Sequence, residues 1–244
     1  MKTKLSVNVN KVAAVRNTRP GSNHPSVLHA AKLCLDSGAH GITVHPRPDQ
    51  RHIRHSDVFE LAEFLKKYPK AEFNIEGNPF VDFMHFIERV KPTQATLVPD
   101  TPGQATSDHG WDVQANAERL LPVIRRIKEL GVRVSLFMDP KPAHMELAKA
   151  LGADRVELYT EPYAAAFARG DKNAAEPYAI AARRAFEVGL DVNAGHDLNL
   201  DNLPPFLKDV PHVLEVSIGH ALIGDAVALG LPETVKKYLK ACGH

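Results

Sequence analysis

Residues 27–45, Val27-Leu28-His29-Ala30-Ala31-Lys32-Leu33-Cys34-Leu35-Asp36-Ser37-Gly38-Ala39-His40-Gly41-Ile42-Thr43-Val44-His45, hold the pattern that decides the fold. Val27, Ala30, Ala31 and Cys34 recur at helical spacing and form one apolar stripe. Asp36-Ser37-Gly38-Ala39 then ends that helix, because glycine takes the left-handed backbone that closes a last turn and redirects the chain. Gly41–His45 follows as a short, β-branched strand that finishes on a histidine.

The same order recurs outward along the chain. Glu129-Leu130-Gly131-Val132, Ala150-Leu151-Gly152-Ala153 and Glu187-Val188-Gly189-Leu190 are further helix ends that lead into strands, and Ala117, Leu120, Leu121 and Ile124 form another helical stripe. The spacing predicts strands over Leu5–Asn8, Gly41–His45, Glu72–Glu76, Ala95–Pro99, Arg133–Met138, Arg155–Tyr159, Leu190–Ala194 and Val213–Ile218. Strands separated by helices must run parallel, and units of about 30 residues suit a closed (β/α)₈ TIM barrel. An open doubly wound sheet is the rival. It would carry G-x-G-x-x-G after its first strand, where this chain has Asn8-Val9-Asn10-Lys11.

Length and composition fit one α/β barrel domain over residues 1–244. Hydrophobic residues make up 44% and charged residues 24%, as expected for a globular protein in water, and a net charge of +1 gives no global attraction for nucleic acid or anionic membrane. An anionic ligand must therefore be held by local groups. The start, Met1-Lys2-Thr3-Lys4-Leu5-Ser6-Val7-Asn8, reads as a strand rather than a secretory signal, and no apolar run approaches the ~18 residues of a membrane span. Cys34 and Cys242 form no disulfide framework, and Cys34 on its stripe reads as a buried thiol. A cytoplasmic location is expected.

In a TIM barrel, residues at the carboxyl ends of the strands face the active site. Those positions hold Asn8, Asn10 and Lys11, with Arg16 and Arg19 beyond, then His45, Arg47, Asp49, Arg51 and His52, and then Glu76. Later strand ends add Glu157, Thr160, Asn193, Gly195, His196, Ser217, Gly219 and His220. Each alone has a plain alternative: a satisfied structural histidine, a solvated arginine, or an ion pair for Glu76 at the end of an apolar strand. Together they read as acid–base chemistry on a phosphorylated small molecule, with Ile218-Gly219-His220 opening a helix whose N–H groups can hold phosphate. The loop Asp100–Gly110 is long enough to be a lid. Phe80, Phe83, Met84, Phe86, Ile87 and Val90 exceed one stripe, which points to a subunit interface or a thick seam between helices.

Several stretches resemble the pyridoxine 5′-phosphate synthase family over nearly the whole chain. They are Ser6–Ala13, Arg16–Arg19, Gly41–Ile53, Asn74–Glu76, Leu97–Pro99, Val134–Phe137, Val192–His196 and Ser217–Ala221. The resemblance implies a transferase of vitamin B6 biosynthesis that joins 1-deoxy-D-xylulose 5-phosphate to 3-amino-2-oxopropyl phosphate. The products are pyridoxine 5′-phosphate, phosphate and water, made without metal or organic cofactor in an octamer. On that pattern His45 and Glu76 match the bases, His196 the acid, and Glu157 a carboxylate that stabilises charged intermediates. Asn8, Arg19, Asp197, Gly219 and His220 match positions around the aminoketone phosphate. Asn10, Lys11, Arg47, His52 and Thr106 match positions around the pentulose phosphate. The chain departs from the pattern at Asn10-Lys11, where Asp-His is commonest, and at Asp197, where glycine is usual. Asp197 is expected to turn from the phosphate or to meet a cation such as Arg19 or His220.

Two rivals remain. A metal-dependent β-keto acid lyase barrel would show His-x-His after the second strand, but here the cation Arg47 takes the second place. A phosphometabolite-binding barrel without catalysis would not need Glu76 beside the histidines.

Overall fold

The fold follows from strands that are polar on one face and apolar on the other. In the computed structural model, which describes residues 2–104 and 106–244, the first half of the chain runs β1 Lys4–Asn8, α1 Asn10–Asn17, α2 Val27–Asp36, β2 Gly41–Val44, α3 His55–Leu65, β3 Glu72–Gly77, α4 Phe83–Val90, β4 Gln94–Leu97 and α5 Val113–Glu129. The second half runs β5 Arg133–Met138, α6 Met145–Ala150, β6 Arg155–Leu158, α7 Glu161–Ala168, α8 Glu176–Glu187, β7 Asp191–Gly195, α9 Leu203–Asp209, β8 Val213–Ile218, α10 His220–Leu229 and α11 Leu231–Ala241. Each strand pairs in parallel with its sequence neighbours, and β8 returns to β1 through Ser6 opposite Ser217. The sheet is a closed barrel.

Inside the barrel a chain of polar side chains links neighbouring strands. Ser6 and Thr43 hydroxyls lie 2.7 Å apart, Thr96 Oγ1 donates to Asn74 Oδ1 at 2.9 Å, and Arg133 Nε donates to Gln94 Oε1 at 2.9 Å. The alternate residues Leu5, Val7, Ile42, Val44 and Ile75 face outward and join the helices in one buried core. A central strand of this kind keeps the polar/apolar alternation usually seen in half-exposed sheets, because the barrel interior takes the place of solvent.

The predicted helix stops are present: Gly38, Gly131, Gly152 and Gly189 have φ of +102°, +76°, +101° and +79°. Strand ends differ from expectation by one or two residues, as where β7 spans Asp191–Gly195. The crowded apolar stretch around α4 packs in part within the chain. Phe83, Phe86 and Ile87 enter the core, Phe80, Met84 and Val90 pack against it, and Phe80 is covered by Trp111 and by Arg119, whose guanidinium carbon lies 4.0 Å from the ring centre. Cys34 and Cys242 are buried free thiols, which burial pushes up to about 12. Among the described residues, no helix is long and apolar enough to cross a membrane.

Candidate active site

A cavity of about 420 Å³ opens at the carboxyl ends of the strands. Its lining includes thirteen of the fourteen predicted site residues: Asn8, Asn10, Lys11, His45, Arg47, His52, Glu76, Thr106, Glu157, His196, Asp197, Gly219 and His220. Arg19 is the exception. It lies exposed in the turn after α1, outside this lining, because the helix carries it away from the strand ends. Arg16 also departs from expectation, being neither a rim group nor solvated. It is buried and forms a bidentate pair with Asp57, Nη1–Oδ1 2.6 Å and Nη2–Oδ2 2.9 Å, which ties α1 to α3.

The floor is set by the ends of β1, β2 and β3. Asn8 Oδ1 accepts the Asn10 N–H at 3.0 Å, and Asn10 Oδ1 accepts the His45 N–H at 2.9 Å, so both asparagines fix the backbone that presents the histidine. His45 Nδ1 lies 4.0 Å from Glu76 Oε2, and its Nε2 lies 4.0 Å from Asp100 Oδ2. Burial, then the charge of Arg47 and smaller contributions from His52, His196 and Arg51, hold His45 well below its usual range. It is therefore a neutral imidazole at neutral pH, able to accept a proton. Burial raises Glu76 to about 7, helped by Asp100 and opposed by His196 and Arg47. A carboxyl poised there exchanges protons in either direction near neutrality.

Glu157 rises from β6 in the same interior. Burial first, and the charges of Glu76 and Glu215 second, push it well above the ordinary carboxyl value, and its Oε2 has no hydrogen-bond partner. Its burial therefore favours the uncharged carboxyl, and a positive charge arriving beside it would favour the carboxylate. Val98, Phe137 and Tyr159 form a small apolar cluster on the same side, and the first two line the cavity.

At the opposite wall β7 ends in an unusual turn. A Cβ on Gly195 would lie 2.2 Å from the Ser217 carbonyl oxygen, so no larger residue fits there. His196 follows with φ +54°, a left-handed backbone that costs a non-glycine residue about 1 kcal/mol or more. That turn lets consecutive side chains meet, and His196 Nδ1 lies 2.5 Å from Asp197 Oδ2. The Asp197 side chain therefore pairs with its own neighbour, not with Arg19 or His220. Thr160 Oγ1 braces the turn by donating to the Gly195 carbonyl and accepting the Asp197 N–H at 3.3 Å. Gly219 closes the ring against Asn8, whose Cβ and carbonyl oxygen would each be 3.1 Å from an added Cβ, and it starts α10 beside the cavity.

The loop after β4 is folded over the opening. Arg47 donates to the Asp100 carboxylate and to the Gln104 carbonyl, Arg51 Nη1 also reaches Gln104 O at 3.0 Å, and Ser107 donates to Asp100 at 2.8 Å. Thr106 Oγ1 reaches His196 Nε2 at 3.0 Å, joining the loop to the far wall. Ala105 lies outside the described residues. His52 Nδ1 accepts the Ile53 N–H at 2.9 Å, and burial with Arg47, Lys11 and Arg51 lowers it to about 4. It is a neutral ring whose Nε2–H is the donor. Sequence reasoning missed Asp100 and Ser107. Asp100 stands just past the fourth strand end and reads from sequence as part of the loop, although its position matches that of the other rim groups.

The closed barrel and a mouth lined by histidines and carboxyls define the class, a (β/α)₈-barrel enzyme. Residues 5–244 match the family model described as pyridoxal phosphate biosynthesis protein PdxJ, and the chain belongs to that family. Among curated relatives, one from Albidiferax ferrireducens named pyridoxine 5′-phosphate synthase is 57% identical, covering 98% of this chain and 97% of its own. Another of that name from Porphyromonas gingivalis is 52% identical, with 97% of each chain covered. Solved barrels of distant sequence share the fold alone. Tryptophan synthase from M. tuberculosis has a TM-score of 0.66 at 11% identity over 99% of this chain and 93% of that one. Orotidine 5′-monophosphate decarboxylase from Methanocaldococcus jannaschii has 0.63 at 13% over all of both.

Proposed function

We propose that this barrel is a pyridoxine 5′-phosphate synthase that condenses 1-deoxy-D-xylulose 5-phosphate with 3-amino-2-oxopropyl phosphate. One observation carries the reading beyond family membership: His45 Nδ1 and Glu76 Oε2 lie 4.0 Å apart, and His196 faces the same cavity. Imine formation, dehydration and ring closure each need a proton taken from one atom and given to another, and bases beside an acid supply this within one enclosed space. His45 and Glu76 serve as bases and His196 as the acid. Glu157 is the carboxyl whose negative charge stabilises the cationic intermediates. His52, Arg47 and Lys11 favour one phosphate, and the N–H groups at the start of α10 with His220 favour the other.

In this reading the chain works as one barrel domain in the cytoplasm, in a homo-oligomer that the family resemblance makes an octamer. It uses no metal or organic cofactor and binds neither nucleic acid nor membrane. The test is incubation of the purified protein with each substrate alone and with both. Pyridoxine 5′-phosphate is expected only from the pair, and its absence with folded protein would overturn the proposal.

A further inference from the structure

His196 is held by two hydroxyl or carboxyl groups of different kinds, one on each ring nitrogen. Asp197 Oδ2 lies 2.5 Å from Nδ1, and Thr106 Oγ1 of the folded-over loop lies 3.0 Å from Nε2. A carboxylate only accepts, so Nδ1 must carry the proton, and Nε2 is left as the nitrogen that faces the cavity. A neutral imidazole in water prefers no such assignment. The order Asp197–His196–Thr106 resembles in logic the way a buried aspartate orients a catalytic histidine elsewhere, with the hydroxyl at the working nitrogen.

We propose that Asp197 is a positioning residue that holds the Nδ1–H of His196 and directs its Nε2 at the substrate. The inference rests on the reading of His196 as the acid. When His196 acts, the Nε2–H bond breaks and the proton passes to the departing oxygen of the substrate. The ring becomes neutral and its Nδ1–H stays in place, donated to Asp197. No other protein group is changed; the C–O bond to that oxygen breaks, its electron pair stays on the oxygen, and water leaves.

The turn supports this role. Gly195 is obligatory because of the Ser217 carbonyl, His196 has φ +54°, and Thr160 holds the Asp197 N–H, so both carboxylate and ring are placed by backbone and not by chance rotamers. The groups facing His196 are Asp197 from its own turn, Thr106 from the loop after β4, Tyr159 at 6.1 Å from the end of β6, Glu76 from β3, His45 after β2 and Lys11 from α1. Burial opposes the charged ring and Lys11 opposes it further, but the hydrogen bond and charge of Asp197, with Glu76, prevail and leave it raised. Asp197 is the only partner in direct contact with Nδ1 among the described residues.

The test uses the full protein and the variants Asp197→Gly and Asp197→Asn. Carbethoxylation of the His196 peptide, followed by mass spectrometry across pH without substrate, reads the neutral fraction of this ring independently of turnover. Loss of the carboxylate is expected to lower the midpoint by about one pH unit, a tenfold loss of proton affinity. In parallel, the alkaline limb of kcat should move down by a similar amount, with the KM for the aminoketone phosphate changing less than about threefold. An unmoved midpoint in both variants overturns the proposal. So does an unmoved alkaline limb accompanied by a tenfold lower KM, since the carboxylate would then be opposing a substrate phosphate. A moved midpoint in a protein whose wild type makes no product supports the positioning role while refuting the proposed activity, so the two failures are distinguishable.

Discussion

Replacing Glu76 by glutamine should stop turnover and strengthen the fold at the same time. Burial holds this carboxyl at about 7 against an ordinary value of 4.5. Each pH unit corresponds to about 1.4 kcal/mol, so keeping the group ionised inside the protein costs about 3 kcal/mol. Below pH 4.5 the carboxyl is protonated in both folded and unfolded chains and the penalty vanishes. Between 4.5 and 7 unfolding releases a proton, so wild-type stability falls as pH rises, and above 7 the full penalty is present. Glutamine keeps the shape and the contact with Asn8 Nδ2, which now spans 3.4 Å, but never ionises. Urea unfolding at pH 8 should therefore show the variant more stable by up to about 3 kcal/mol, with the difference shrinking toward zero near pH 4.5. Its kcat should fall about 10²–10⁴-fold through loss of the base. Equal stability at pH 8 would show that burial does not raise this group, and a rate within threefold of wild type would make Glu76 structural.

Arg16→Ala should cost about 3–5 kcal/mol in urea unfolding, because it strands the buried Asp57 carboxylate, and a loss under 1 kcal/mol would contradict the pairing described. Proteolytic cutting between Asp100 and Gly110 should slow markedly when a phosphorylated substrate is added, since a bound ligand beneath the loop would hold its contacts with Arg47 and His196 in place; equal cutting with and without it would count against closure. Treatment with a strong chelator should leave the rate unchanged, and a loss restored by a divalent ion would refute metal-free chemistry.

Much of this was legible in sequence because barrels place function by rule. Glycines at helix ends and polar residues at strand ends are local signals, so His45, Glu76, Glu157 and His196 could be assigned to one rim before any contact was known. What escaped depends on distant partners or on backbone direction. Asp57 lies 41 residues from Arg16, and nothing near Arg16 distinguishes a buried pair from a solvated cation. Arg19 follows the same helix past the mouth. The orientation of Asp197 depends on the left-handed turn at His196, which in turn depends on Gly195 crowding Ser217, a contact between strands β7 and β8. The raised Glu157 carboxyl likewise comes from burial first, and then from Glu76 and Glu215 on other strands.

The central claim is that these proton-handling groups join two phosphorylated substrates and expel one phosphate. Pyridoxine 5′-phosphate and inorganic phosphate should be quantified together during turnover of both substrates. One phosphate per product molecule, with neither appearing when a substrate is withheld, is the predicted result. Phosphate released without the ring product, or no product at all from folded protein, would contradict the account.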